Sequence, residues 1–266
     1  MSELSAVAST PEDGESMPTM GFLDHLEELR KRIVYSIVAV VVGSAACWGY
    51  REKIYGIMQK PIMDALKANG LSEKLVYQNP TEPFNLYLKI AALAGLFLTS
   101  PFVLYQVWAF IAPGLYRNEK RYVMPFMFST ITLFTLGGYF GYRVAYPRAL
   151  DFLIGFGKQF QPMITIGEYT HLFLSIVLGM GLIFEMPILV FFLAFMGILS
   201  PGFMLKHFRY AVLIIFIIAA IVTPTPDVFN MCVFASPMLA LYALSVGVAW
   251  MVHPKQRQAR KEKQAQ

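Results

Sequence analysis

One acidic side chain stands where acids are rarest. Glu185 sits in Gly181-Leu-Ile-Phe-Glu-Met-Pro187, roughly midway along a long apolar run. An acid at the centre of a bilayer costs ~2.5–3.5 kcal/mol on insertion scales, so such a residue is protonated, paired, or turned toward protein or a water-filled cavity. Pro187 lacks an N–H and frees a carbonyl one turn back, which predicts a kink here. The chemistry on offer is a proton or a polar contact held inside the membrane.

Two further acids stand among basic residues beside apolar runs. Glu28 lies in Phe22-Leu-Asp-His-Leu-Glu-Glu-Leu-Arg-Lys-Arg-Ile33, and Glu119 in Arg117-Asn-Glu-Lys-Arg121. Carboxylates accept paired hydrogen bonds from guanidinium groups, and two of them can read two arginines. Plainer roles exist for the same residues. Glu27–Lys31 and Glu28–Arg32 are i,i+4 pairs that support a helix, and Glu119 behind a capping Asn118 suits a helix dipole. Asp227, after Thr223-Pro-Thr-Pro226, is placed to cap the next helix. Pro61, in Gln59-Lys-Pro61, falls in a connecting loop where it breaks a helix or fixes a turn.

Other chemistry is missing from the sequence. His25 and His171 are isolated, and Cys47 and Cys232 lie far apart inside apolar segments. Neither pair has metal-ligand or disulfide-framework spacing. No metalloprotease His pair, nucleophile elbow or phosphate-binding loop is present. The expectation is a protein that is not an enzyme and uses no cofactor or metal.

The elements that must position these residues are membrane helices. Of the 266 residues, 56% are apolar and 15% charged, against about 25% charged in a soluble domain. The charge-poor segments predict an all-α polytopic membrane protein with six spans, at about 33–50, 84–110, 122–142, 169–199, 208–222 and 229–250. The six spans form one membrane domain over residues 19–252, with a disordered extension at 1–18 and a basic tail at 253–266. No cleavable signal peptide is evident. The segment from Phe22 to Ile33 reads as an amphipathic helix leading into the first span, and Gly137 and Gly141 have the spacing of a close helix contact. The fifth and sixth spans are expected to be short. Fifteen residues in the fifth cover roughly 22 Å of a ~30 Å hydrocarbon core, so the bilayer thins there or protein shelters the span.

Basic residues set the orientation. Arg30-Lys-Arg32, Arg117, Lys120, Arg121, Lys206, Arg209 and the tail fall on one side of a six-span chain, which the positive-inside rule makes the cytoplasm. Both termini are then inside, and the longer connections, about 51–83 and 143–168, face out. The net charge of +5 belongs to this asymmetry and predicts no nucleic-acid partner.

Taken together, His25-Leu-Glu-Glu-Leu-Arg-Lys-Arg32, Tyr105-Gln-Val-Trp-Ala-Phe-Ile-Ala-Pro-Gly-Leu-Tyr116 with Glu119, Phe184-Glu-Met-Pro187 and Thr225-Pro-Asp-Val-Phe229 resemble the TatC family, the core subunit of the twin-arginine (Sec-independent) protein translocase. The match spans most of residues 20–250. The resemblance implies a receptor in the bacterial inner membrane that binds Arg-Arg signal peptides of folded precursors. It also implies an oligomeric complex with TatA- and TatB-type single-span subunits, working in membrane lipid and driven by the proton-motive force. It assigns Glu28 and Glu119 to the twin arginines, Arg30 to the same inner patch, and Phe110 and Leu115 to the flanks of the recognition loop. Glu185 matches an intramembrane glutamate that meets a partner helix, and Pro61 and Asp227 match outward-facing positions that tolerate substitution poorly. Met231 stands where some relatives carry Gln, so no contact of that glutamine is carried over. The alternative reading is a proton-coupled small-solute transporter using Glu185, which requires a polar cavity and, usually, repeated halves; the sequence shows no repeat.

Overall fold

The computed structural model describes residues 22–72, 74–111, 123–157, 160, 163–222 and 228–252. Among them the architecture is all-helical: α1 (Phe22–Trp48), α2 (Arg51–Ala68), α3 (Glu82–Ile111), α4 (Val123–Phe140), α5 (Tyr146–Phe156), α6 (Ile166–Ile183), α7 (Met186–Phe195), α8 (Pro201–Lys206), α9 (Phe208–Val222) and α10 (Val228–Val252). A single β-bridge, Val76 to Thr165, ties the α2–α3 connection to the start of α6. Among the described residues, four helical stretches are long and apolar enough to cross a membrane: Asp24–Trp48, Glu82–Phe110, Ile166–Ala194 and Met231–Met251. The apolar helices α4 and α9 lie where the third and fifth spans are expected.

Small residues decide how closely these helices approach. A Cβ on Gly95 of α3 would lie 2.4 Å from the Ser44 amide nitrogen of α1, so the two backbones touch where only glycine fits. The predicted Gly137–Gly141 contact also forms, against α6. Cβ atoms there would lie 2.6 Å from the Met180 carbonyl oxygen and 3.1 Å from Val177 Cα. The core gathers Met58, Ile62, Tyr146, Ile176, Met180 and Phe234, all 2% exposed or less. Val38, Val41 and Val42 on α1 point outward, as they should where the surrounding medium is as apolar as they are.

Prolines inside helices orphan the carbonyl four residues back, and here hydroxyls replace the missing donors. Pro101 leaves the Phe97 carbonyl, to which the Ser100 hydroxyl donates at 2.8 Å. Pro237 leaves that of Val233, to which Ser236 donates at 3.0 Å. In both cases the preceding serine caps the break locally. Pro61 has Lys60 before it, and its orphan, the Ile57 carbonyl, accepts instead from Tyr142 at 2.9 Å, from the far end of the α4 stretch.

Several expectations need correction. Pro61 does not sit in a loop: it lies inside α2, which continues through it to Ala68. The connections 51–83 and 143–168 are largely helical, because α2 and α5 are too polar or too short to span yet bury one face against the core. The helix of the third expected span does not stop at 142. A π-helical turn, Gly141–Ala145, carries it into α5, absorbing an extra residue without breaking the helix. The sixth span is not short: α10 has 25 residues, about 37 Å at 1.5 Å per residue. The fifth is short as expected, at 15 residues. Residues 1–18, the tail 253–266, Leu115, Glu119 and Asp227 lie outside the described residues.

Candidate functional site

Glu28 is built into a corner where the start of α1 crosses the end of α3. Helix geometry puts Arg32 one turn beyond Glu28 on the same face of α1. Arg32 Nη2 donates to Glu28 Oε1 at 3.1 Å, and Arg32 Nη1 donates to Gln106 Oε1 at 2.9 Å. The guanidinium fork is therefore split between two helices. Glu28 and Arg32 side chains are 20% and 28% exposed, while Gln106 is buried. Glu28 Oε2 is itself buried and has no hydrogen-bond partner among the described residues. An unmet buried acceptor is costly, about 1–3 kcal/mol and more when charged, so this oxygen is ready for a donor.

Two ring contacts hold the corner. The His25 ring stacks on Phe110, centroids 4.4 Å apart and planes 18° apart, joining the first turn of α1 to the last of α3. Trp108 donates through Nε1 to Thr130 Oγ1 at 3.1 Å and stacks on Phe126, fixing α3 to α4. Beside Glu28 opens a hollow of about 450 Å³ lined by Asp24, Glu27, Glu28, Lys31, Arg32 and Tyr35. Glu27 and Lys31 pair at 2.9 Å but are more than half exposed, so the solvated pair and the half-buried pair are neighbours of different character. Arg30 is exposed on the same helix.

Glu185 occupies the break between α6 and α7. Phe184 ends α6, Glu185 precedes the first turn of α7, and Pro187 lies within that turn. The Glu185 carbonyl accepts from Ile188 and Leu189, both at 3.1 Å. Its side chain is half-buried, and Oε1 is buried with no hydrogen-bond partner among the described residues. Next to this break an apolar cleft of about 350 Å³ runs between α6–α7, α9 and α10, lined by Leu182, Met186, Ile214, Met238 and Tyr242 among others.

Pro61 belongs to a third assembly, at the opposite end from Glu28. Tyr142 and Tyr169 reach α2 from two directions, their hydroxyls donating to the carbonyls of Ile57 at 2.9 Å and Met58 at 2.5 Å. Tyr146, fully buried, packs edge-on to Tyr169 at 5.9 Å, and burial pushes its phenol above the usual range, which keeps it neutral. The two tyrosine hydroxyls seat α2 on the core, beside a hollow of about 340 Å³ lined by Ile62, Leu150, Glu168 and Tyr169.

The structure thus joins Glu28 and Phe110 in one corner and separates them from Glu185 and Pro61. Arg32, Gln106 and His25 complete that corner. Glu28–Arg32 was visible as an i,i+4 pair, but Gln106 carried no signal beyond being an amide in an apolar run.

With this geometry in view, the similarities to known proteins are specific. The family profile described as TatC, Sec-independent protein translocase protein (TatC), matches residues 24–237. A Sec-independent protein translocase protein TatC from Koribacter versatilis is 64% identical over 250 residues, 94% of this chain and 92% of that one. One from Carboxydothermus hydrogenoformans is 39% identical over 238 residues, covering 89% and 96%. A crystal structure of the twin arginine translocase receptor TatC superposes with a TM-score of 0.76 at 34% identity, covering 86% of this chain and 99% of that chain.

Proposed function

Because this chain belongs to the TatC family, membrane components of the Sec-independent protein translocase, we propose that it is the receptor subunit that binds Arg-Arg signal peptides of folded precursors. The observation that carries this reading is Glu28: a half-buried carboxylate with one oxygen held by Arg32 and the other buried and without a partner among the described residues. A guanidinium is the donor such an oxygen suits, since it is planar, permanently charged and more weakly hydrated than an ammonium. Glu119 supplies the second carboxylate, with Arg30, Phe110 and Leu115 around them. The Glu28 end faces the cytoplasm by the positive-inside rule, leaving both termini inside, six spans in the inner membrane, and Pro61 and Asp227 outside.

TatA- and TatB-type single-span subunits pack against the α9 side, where the apolar cleft beside α9 and α10 offers a surface for an apolar helix. Glu185, with an unpartnered buried oxygen, gives such a helix a polar contact. Export then follows recruitment of further subunits under the proton-motive force, and the receptor itself makes and breaks no covalent bond.

The deciding experiment measures binding of a fluorescent signal peptide to the purified chain, comparing Arg-Arg with Lys-Lys sequences in wild type, Glu28→Ala and Glu119→Ala. A clear Arg-Arg preference weakened by both substitutions is expected. Equal binding of the two peptides, untouched by either change, overturns the site.

A further inference from the structure

We propose that Arg32 is the residue that sets the preference of the site for arginine over lysine. The inference rests on the reading of Glu28 as the acceptor for a signal-peptide guanidinium and assigns a task to a neighbour that does not itself touch the peptide. An arginine beside a carboxylate ordinarily closes on it with two parallel N–H···O bonds, filling both oxygens. Arg32 does not. Gln106 Oε1 engages Nη1 at 2.9 Å and holds the guanidinium in an orientation in which Nη2 alone bonds Glu28, on Oε1 at 3.1 Å. Gln106, 5% exposed on α3, is an anchor in a different helix, so the split of the fork is fixed by the α1–α3 packing rather than by the side chain's own freedom.

Splitting the fork has two consequences for a guest cation. It leaves one oxygen, Oε2, without a donor among the described residues, and it pins the carboxylate with that oxygen turned inward, where it is buried. A donor must shed water to reach a buried oxygen. A guanidinium does so more readily than a compact, strongly hydrated ammonium, and its planar shape lets one N–H enter while the others stay outside. Were the carboxylate free to rotate into the adjoining hollow of about 450 Å³, it would meet either cation in water and hold both weakly. Arg32 therefore acts as a positioning residue: its own bond to Oε1 presents Oε2 in the buried orientation that favours arginine.

The geometry gives two opposite perturbations. Arg32→Gln releases the carboxylate, so the ratio of Arg-Arg to Lys-Lys affinity falls roughly tenfold, the equivalent of one charge-assisted hydrogen bond. Gln106→Leu frees the fork to close on both Glu28 oxygens, so Arg-Arg affinity falls through occlusion to below that of Arg32→Gln, and adding Arg32→Gln brings it back up to the level of Arg32→Gln alone. Both are read by titrating the two fluorescent peptides against the full-length purified chain, with Glu28→Ala in parallel. A parallel loss of both peptides in Arg32→Gln, with the ratio kept, overturns the proposal and leaves Arg32 a mere brace. No recovery in the double variant overturns it equally. Indifference of Glu28→Ala to either peptide removes the receptor site itself, a separate failure that is recognisable by that variant alone.

Discussion

The Glu28 corner and the Pro61 cap solve the same problem in opposite ways. Each places a polar acceptor where water is scarce. At the cap, the carbonyl orphaned by Pro61 and its neighbour at Met58 both receive tyrosine hydroxyls. At the corner, the Glu28 carboxylate is only half met, and its second oxygen is left unmet. A satisfied polar group fixes structure, and an unsatisfied one stores a cost that a ligand relieves. The cap also keeps one buried hydroxyl, that of Tyr146, without a hydrogen-bond partner among the described residues. A neutral phenol stores far less than a carboxylate, so the cap is read as scaffold and the corner as receptor. The cap joins elements that are far apart in sequence, whereas the corner's acid and its arginine are one helical turn apart.

That contrast breaks most visibly if the corner depends on the α1–α3 seam and the cap does not. Gly95→Val sets a side chain against the Ser44 backbone, only 2.4 Å from where its Cβ would lie. Overpacking of this kind costs about 1–3 kcal/mol or more, and moving α1 off α3 also separates Arg32 from Gln106. The expected outcome is loss of Arg-Arg peptide binding together with a lowered melting temperature in detergent. Retained binding at full affinity would detach the site from the seam.

Next in size is Glu28→Gln. The amide keeps an acceptor for Arg32 but turns the unmet oxygen into a donor and removes the charge. Arg-Arg peptide affinity should fall about tenfold, near 1.4 kcal/mol, with a smaller loss of thermal stability, since the amide oxygen still accepts from Arg32 and Oε2 has no partner among the described residues. A loss of stability as large as the loss of affinity would make Glu28 structural.

How far the sequence foretold these two regions follows from contact distance along the chain. The spans, the break at Glu185–Pro187 and the Gly137–Gly141 contact were legible because hydropathy, proline and small-residue spacing act within one or two turns. Glu28–Arg32 was legible for the same reason. The Arg32–Gln106 bond joins residues 74 apart and Tyr142–Ile57 residues 85 apart, and no local pattern announces either. The helices α2 and α5 carry no apolar run of span length, so hydropathy alone does not mark them. Both instead bury one face and expose the other, Met58 and Ile62 inside with Ile57 outside. Leu115, Glu119 and Asp227 lie outside the described residues, so the second carboxylate of the site rests on sequence alone.

On the cap side the effects are smaller and concern stability. Tyr169→Phe removes a buried hydrogen bond to Met58 whose carbonyl keeps the N–H of Ile62 from the helix. The cost is about 1 kcal/mol, read as a lower melting temperature with Arg-Arg peptide affinity unchanged. A fall in affinity of the size seen for Glu28→Gln would mean that the two ends are coupled and that the cap is more than scaffold.

The smallest effect tests the cap's logic most directly. If Tyr142 matters because Pro61 withholds an N–H from the Ile57 carbonyl, the two residues are energetically coupled and the coupling has a sign. In the native chain, Tyr142→Phe leaves that carbonyl to solvent at a largely exposed position, at a cost of about 0.5 kcal/mol. In a Pro61→Ala background, residue 61 regains an N–H, the helix satisfies Ile57 itself, and the same tyrosine substitution should cost almost nothing. A double-mutant cycle followed by thermal unfolding should therefore show coupling near 0.5 kcal/mol, which is at the edge of what such cycles resolve between touching residues. Equal costs of Tyr142→Phe in both backgrounds would show that the hydroxyl does not answer the proline. In that case the agreement of Pro61 with the serine-capped prolines at 101 and 237 is one of pattern only.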